Sequence, residues 1–378
     1  MNLLLAVKAS LSRQLSFSAR AATGVLMAAM LMSTGCRNLQ HASTQAGHLL
    51  IIGGGLDNDL RPVFERFLAL ASKPGAARIV IATTAITSVK DRSDEEIDKT
   101  EALRAWAPEV PVDLIRRSHS TAQTVAAFDR ATGIFFTGGK QESIAVRYRP
   151  GGRETPEWLA LKRLLGRGGV IAGGSAGTAM MGERMLLDGG NADSLNDTSR
   201  PGQVPRMGQG MAFLPWAITD SHFFERDRVA RLVVALENSG RRLGLGVGED
   251  AAVEVDLASG VITGVTGSDS LLIDMAAMKR SGQTRSNVWA RLIRQGDRLS
   301  LPKRLHSALP AAAAQPAGPI NVVCFAFPGQ NRQLGLWRVF MGASRPGSGA
   351  WRSRFEGWRI VAWPDGRGEV IFEVSPAP

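Results

Sequence analysis

The sequence predicts an α/β protein, a doubly wound, mainly parallel sheet flanked by helices, with a small β-rich appendage at its C-terminus. Three observations carry this expectation. Short apolar runs alternate with stretches of helical periodicity from His48 to about residue 255. Three of those runs end in glycine-rich turns, as ligand-binding turns at the carboxyl edge of a parallel sheet do. The stretch Ala311 to Pro319 reads as linker and separates this pattern from a tryptophan-bearing segment of short alternating runs.

In chain order, Leu49 to Ile52 reads as a strand ending in Gly53-Gly54-Gly55, and Leu60 to Ala71 as an amphipathic helix. Arg78 to Ala82 is the next strand, Glu95 to Ala107 a helix, Val112 to Ile115 a strand, and Thr121 to Thr132 a helix. Ile134 to Phe136 is a strand running into Gly138-Gly139; Glu157 to Leu165 is a helix, and Val170 to Ala172 a strand running into Gly173-Gly174. Gly244 to Val247 and Ala251 to Val255 are later strands that flank Gly248-Glu249-Asp250. The expected organisation is a signal or lipoprotein segment over 1–36, a core over 45–301, a linker over 302–319 and the appendage over 320–378. The tail's Trp337, Trp351, Trp358 and Trp363 are expected to be core residues, because large aromatics dominate burial.

The 378 residues, 44% of them hydrophobic, suffice for one large core or two modest ones. The formal charge of +11 is spread along the chain without basic runs, so no nucleic-acid partner is expected. Only Cys36 and Cys324 are present; they form no disulfide framework and have no metal-ligand spacing. Lys8, Arg13 and Arg20, followed by the apolar run Ala21 to Met32, read as an export signal too short to span a bilayer stably. Ser33-Thr34-Gly35-Cys36 resembles a bacterial lipoprotein box, although Ser33 stands where leucine is usual. A periplasmic, outer-membrane or extracellular location is therefore expected, with Cys36 as the one membrane anchor. A homodimer is among the assemblies the sequence allows.

Gly173-x-Ser175-x-Gly177 follows a strand and fits a nucleophile elbow, in which small neighbours tolerate a sharp turn that exposes the serine hydroxyl. Similar turns also cradle phosphates or merely pack, so the spacing leaves these readings open. A serine nucleophile needs a base. Among five histidines, His41, His48 and His306 fall in poor positions, His119 precedes a helix, and His222 opens one in Asp220-Ser221-His222-Phe223. For an orienting carboxylate, Asp188 and Asp193 lie in the loop after the elbow, and Glu183 lies nearer the helix. Nucleophile, acid and base would all fall between residues 175 and 222, more compactly than in ordinary α/β-hydrolases.

Five motifs then occur in order: Ile52-Gly53-Gly54-Gly55, Phe136-Thr137-Gly138-Gly139-Lys140-Gln141, Gly174-Ser175-Ala176-Gly177, Asp220-Ser221-His222-Phe223 with Arg226, Arg228 and Arg231, and Gly248-Glu249-Asp250-Ala251-Ala252. Over roughly residues 47–300 the chain resembles the cyanophycinase family of serine peptidases, relatives of dipeptidase E. The resemblance implies Ser175 as nucleophile, His222 as base, Asp193 or secondly Asp188 as the acid, and the amides of Gly139 and Ala176 as oxyanion donors. It places Gln141, Asp220, Arg226, Arg228 and Arg231 at the substrate pocket and implies no metal and no cofactor. The implied reaction is hydrolysis of β-aspartyl bonds, as in the β-Asp-Arg units of cyanophycin, with a peptide or cyanophycin-like polymer as substrate. A small acidic-peptide dipeptidase and a catalytically silent binding protein of the envelope are the alternatives. The sequence departs from the family pattern at Lys140, Gly174, Ser221 and Gly248, where the family favours an aspartate, a threonine, a glutamine and an acid.

Overall fold

The computed structural model describes residues 47–55, 61–189, 205–267, 269–300, 321–323, 339–345, 348–355, 358–365 and 369–376. The signal segment with Cys36, the linker over 302–319, Cys324 and Trp337 lie outside the described residues. In chain order the strands are β1 His48–Ile52, β2 Ile79–Ala82, β3 Val112–Ile115, β4 Gly133–Phe136, β5 Val170–Gly174, β6 Arg184–Asp188, β7 Arg206–Gln209, β8 Ala217–Asp220, β9 Leu243–Val247 and β10 Ala252–Asp256. They continue as β11 Val261–Gly264, β12 Ser270–Asp274, β13 Lys279–Ser281, β14 Thr284–Ile293, β15 Arg298–Ser300, β16 Asn321–Val323, β17 Trp351–Phe355, β18 Trp358–Pro364 and β19 Val370–Pro376. The helices are α1 Arg61–Ala71, α2 Val89–Trp106, α3 Thr121–Arg130, α4 Gln141–Tyr148, α5 Pro156–Gly166, α6 Ala176–Ala179, α7 Val229–Ser239 and α8 over 339–343.

The first sheet runs β15-β11-β10-β1-β5-β4-β2-β3. Its five strands from β1 to β3 pair in parallel, and β10, β11 and β15 add an antiparallel wing. β1 (HLLII) lies between β5 and β10 and is buried at every position, which is why the sequence shows a continuous apolar run there rather than alternation. Helices flank the sheet: α1 buries the apolar stripe Val63, Phe64, Phe67 and Leu70, and Phe64 stacks on Phe135 of β4 at 5.5 Å. Ser120 and Gln123 close a capping box that fixes where α3 begins.

A second sheet runs β16-β17-β18-β19-β14-β12-β9-β8 and is mainly antiparallel, with β8/β9 and β16/β17 the parallel pairs. The C-terminal β-rich segment expected from the sequence joins this sheet. β19 pairs directly with β14, Ala290 opposite Val370 and Trp289 opposite Ile371, so the tail supplies β16 to β19 of a nine-stranded sheet that the core begins. Phe340, Phe372 and Val374 share one apolar cluster with Leu232, Val233 and Leu236 of α7. An amphipathic helix laid on β8, β9, β12 and β14 would leave the far end of its stripe uncovered, and the C-terminal strands cover it. Among the tail tryptophans, Trp363 is buried and Trp351 half-buried, the core role expected of them.

Candidate active site

The site forms where the carboxyl ends of β1, β4 and β5 meet the ends of β8 and β9. At the turn out of β5, Ser175 has φ 51° and ψ −105°, a conformation that costs a non-glycine residue roughly 1–3 kcal/mol. The turn persists because its surroundings fix it. The amide of Ser175 donates to Ile52 O at 3.2 Å, the amide of Ile52 donates to Thr178 Oγ1 at 3.1 Å, and Thr219 Oγ1 donates to Thr178 O at 2.6 Å. A Cβ on Gly173 would lie 2.3 Å from Gly177 O, so the elbow closes only with glycine there.

His222 follows β8 at φ 47° and donates its own amide to Gly53 O at 2.9 Å. Its Nε2 lies 2.8 Å from Ser175 Oγ. A side chain at Gly54 would reach within 2.5 Å of the imidazole Cε1, so that glycine makes room for the ring. On the far side, His222 Nδ1 meets Glu249 Oε1 at 2.6 Å. With the ring proton on Nδ1, the ring donates to the carboxylate and its Nε2 accepts from the serine hydroxyl. Burial pushes the His222 pKa below the ordinary imidazole value, against the opposing pull of Glu249 and with help from the charges of Arg226 and Arg228.

The carboxylate at the histidine is thus not one of those expected from the loop after the elbow. Asp188 pairs with Arg206 at 2.8 Å, close to solvent, and Glu183 pairs with Arg241. Asp193 lies outside the described residues. The signal for Glu249 was the Gly248-Glu249-Asp250 motif between two strands, but its partner is 27 residues away and is supplied by strand pairing. β8 and β9 run side by side with Asp220 opposite Gly246, which brings the turns that follow them together. The other candidate base, His119, accepts the amide of Arg116 at 3.1 Å and serves its own turn. His48 pairs with Glu254.

A cavity of about 300 Å³ opens beside the serine, lined by Gly139, Ala176, Gln141 and the expected arginines among others. Gly138 brings the turn after β4 against the nucleophile, since a Cβ there would sit 3.5 Å from Ser175 Cβ. Gln141 Nε2 donates to Leu186 O at 2.7 Å and Leu187 O at 3.0 Å, so this side chain anchors the end of β6 at the cavity wall. Asp220 is fully buried and receives Arg231 Nε at 2.7 Å, Arg228 Nη1 at 3.3 Å and the amide of Ser221 at 2.9 Å. Burial alone would raise its pKa, but Arg231 and Arg228 more than offset that and hold it below the usual range. Burial lowers Arg228 to about 10, with Asp220 opposing. Asp220 therefore acts on the pocket through the arginines it holds, while Arg226 stands exposed at the mouth. Among the described residues no cluster of three or more histidine, cysteine, aspartate or glutamate side chains could hold a metal ion.

A serine on a strained strand-to-helix elbow, an imidazole in contact with it and a carboxylate behind the ring, at the edge of a parallel sheet, make up a serine-type peptidase arrangement. The model of peptidase family S51 matches residues 49–260, and the chain belongs to that family. It is 36% identical over 123 residues to a cyanophycinase of Geminocystis herdmanii (strain PCC 6308), covering 32% of this chain and 42% of that one. It is 31% identical over 209 residues to a cyanophycinase of Nostoc sp. (strain PCC 7120), covering 53% of this chain and 65% of the relative. The chain thus spans less than two thirds of the length of either relative. A solved peptidase structure from an acI-B1 Actinobacterium superposes with a TM-score of 0.48 at 15% identity, over 68% of this chain and 98% of that one.

Proposed function

We propose that this protein is a serine peptidase that hydrolyses β-aspartyl peptide bonds, of the β-Asp-Arg kind found in cyanophycin, through an acyl-enzyme. The observation that carries the reading is the continuous chain from Ser175 through His222 to Glu249, at 2.8 and 2.6 Å. In this reading Ser175 Oγ attacks the side-chain carbonyl of the aspartyl residue while His222 Nε2 takes its proton. Glu249 holds the ring and stabilises the imidazolium. The oxyanion receives the amides of Gly139 and Ala176, each worth on the order of 3 kcal/mol in acyl-transfer sites. The imidazolium then protonates the leaving amine, and water, activated by the same ring, releases the acyl group.

A β-aspartyl bond leaves the α-carboxylate of the aspartate free. The cavity wall carries three arginines against two aspartates, buried Asp220 and exposed Asp188, a net positive balance that suits such an anion. Export, with lipid attachment at Cys36, belongs to the same reading and rests on the sequence of residues 1–36.

A serine-directed fluorophosphonate is expected to label Ser175, and Ser175→Ala to abolish both labelling and turnover while leaving the fold intact. Release of Asp-Arg from cyanophycin, compared with cleavage of β-aspartyl dipeptides, identifies the substrate. A Ser175→Ala variant with full activity refutes the reading, and a wild-type protein that binds these peptides without cleaving them supports a silent binding protein instead.

A further inference from the structure

Three residues beyond His222, Glu225 is a carboxylate that the catalytic chain does not use. It does not face the cavity. It turns inward against the segment that carries Glu249: a Cβ on Gly248 would come within 3.5 Å of Glu225 Oε1. Its carboxyl accepts the main-chain amide of Glu249 and its own, whereas Oε2 is buried without a hydrogen-bond partner. The two turns are also stitched by a main-chain bond, Phe223 N to Val247 O at 3.1 Å, and Ala251 N to Gly248 O at 3.2 Å closes the turn that carries Glu249. The amide of Glu249 is thus held by a side chain, and the side chain of Glu249 holds the histidine.

We infer that Glu225 is a positioning residue for the catalytic chain, fixing Glu249 against His222 by accepting the Glu249 amide from beneath. This rests on the serine-peptidase reading for its kinetic consequence, though not for its geometry. A buried oxygen with no donor is costly when the group is charged. Burial, with the charges of Glu249 and Asp250 adding to it, pushes the Glu225 pKa upward against the two amide bonds. A neutral carboxyl fits this place: its carbonyl oxygen accepts the amide and the protonated oxygen carries no charge to be solvated. A glutamine would do the same, whereas aspartate, one methylene shorter, would not reach.

The test compares Glu225→Gln, Glu225→Asp and the shape-matched Glu225→Met in the full chain. The groups that face the His222 ring are Ser175 from the elbow, Glu249 from the turn after β9, and Arg226 and Arg228 from its own turn. Glu249 opposes the fall in the ring's pKa, so a misplaced Glu249 lowers that pKa further. The rate of fluorophosphonate labelling at Ser175 is expected to stay within about twofold of wild type in Glu225→Gln and to fall about tenfold or more in Glu225→Asp and Glu225→Met, in line with loss of orientation at a catalytic group. The acid midpoint of the labelling profile moves down in the latter two and stays in place in Glu225→Gln. Equal labelling and equal midpoints in all four proteins overturn the inference, as does a Glu225→Gln variant that falls as far as Glu225→Asp. If Glu225→Met does not fold, Glu225→Asp decides alone. The downfield proton resonance of His222 Nδ1 reports the bond to Glu249 without any reaction. Its retention in Glu225→Gln and loss in Glu225→Asp support the positioning role even if wild type takes no label, a result that would count against the peptidase reading only; its retention in Glu225→Asp overturns the positioning role.

Discussion

Replacing Glu249 by glutamine isolates what a carboxylate behind the histidine contributes. Shape and acceptor are kept and the charge is removed. When His222 becomes an imidazolium, a charge pair about 4 Å apart at an effective dielectric of about 20 is worth about 4 kcal/mol. The Glu249 side chain is 28% exposed and that of His222 12%, so water screens the pair, and roughly half, about 2 kcal/mol, should remain. Weakening the 2.6 Å bond that fixes the ring's tautomer adds about 1 kcal/mol. The sum, about 3 kcal/mol, corresponds to a fall in kcat of roughly 100- to 200-fold. The assay is single-turnover hydrolysis of a β-aspartyl substrate, run beside fluorophosphonate labelling, with circular dichroism to confirm the fold. Asp188→Asn and Asp193→Asn are the controls. A Glu249→Gln variant within threefold of wild type, or a larger loss in either aspartate variant, refutes the assignment of the acid.

Three further outcomes are expected. Because His222 must be neutral to act as base and its pKa is depressed by burial, kcat/KM should fall on the acid side with a midpoint below the ordinary imidazole value of about 6.5, read from a pH–rate profile. Asp220→Asn leaves Arg231 and Arg228 buried without their counter-charge and should cost about 3–5 kcal/mol in urea unfolding. The sign follows from Asp220's lowered pKa: its stabilisation is present above the unfolded carboxylate value and is lost as pH falls through the lower folded value, so the variant's deficit should shrink in strong acid. Phe372→Ala in the tail should destabilise the core by about 3–5 kcal/mol, because the ring is fully buried in the cluster shared with α7; an unchanged unfolding midpoint would mean that the tail folds apart from it.

The parts of this protein written in local sequence were legible there. β1, β2, β4 and β5 are apolar runs because both their faces are buried, and Gly173 and Gly177 mark the elbow because no Cβ fits between them. Ser175 and His222 could be picked out for the same reason, each lying in a short motif at the end of a strand. The motif of Glu249 was equally visible, yet its role was not, since nothing within a few residues of it says which histidine it will meet. That was decided by the parallel register of β8 and β9, which sets two turns 27 residues apart side by side. Tertiary structure likewise decided the fate of the tail. Its alternating strands read as a small β-rich appendage without saying where it attaches; edge strands with one apolar face pair where a sheet edge and an uncovered helix stripe are offered, and β14 and α7 offer both. Sequence determined which groups could do chemistry and which segments must be buried; long-range pairing, which has no local signature, decided which carboxylate stands behind the imidazole and where the core ends.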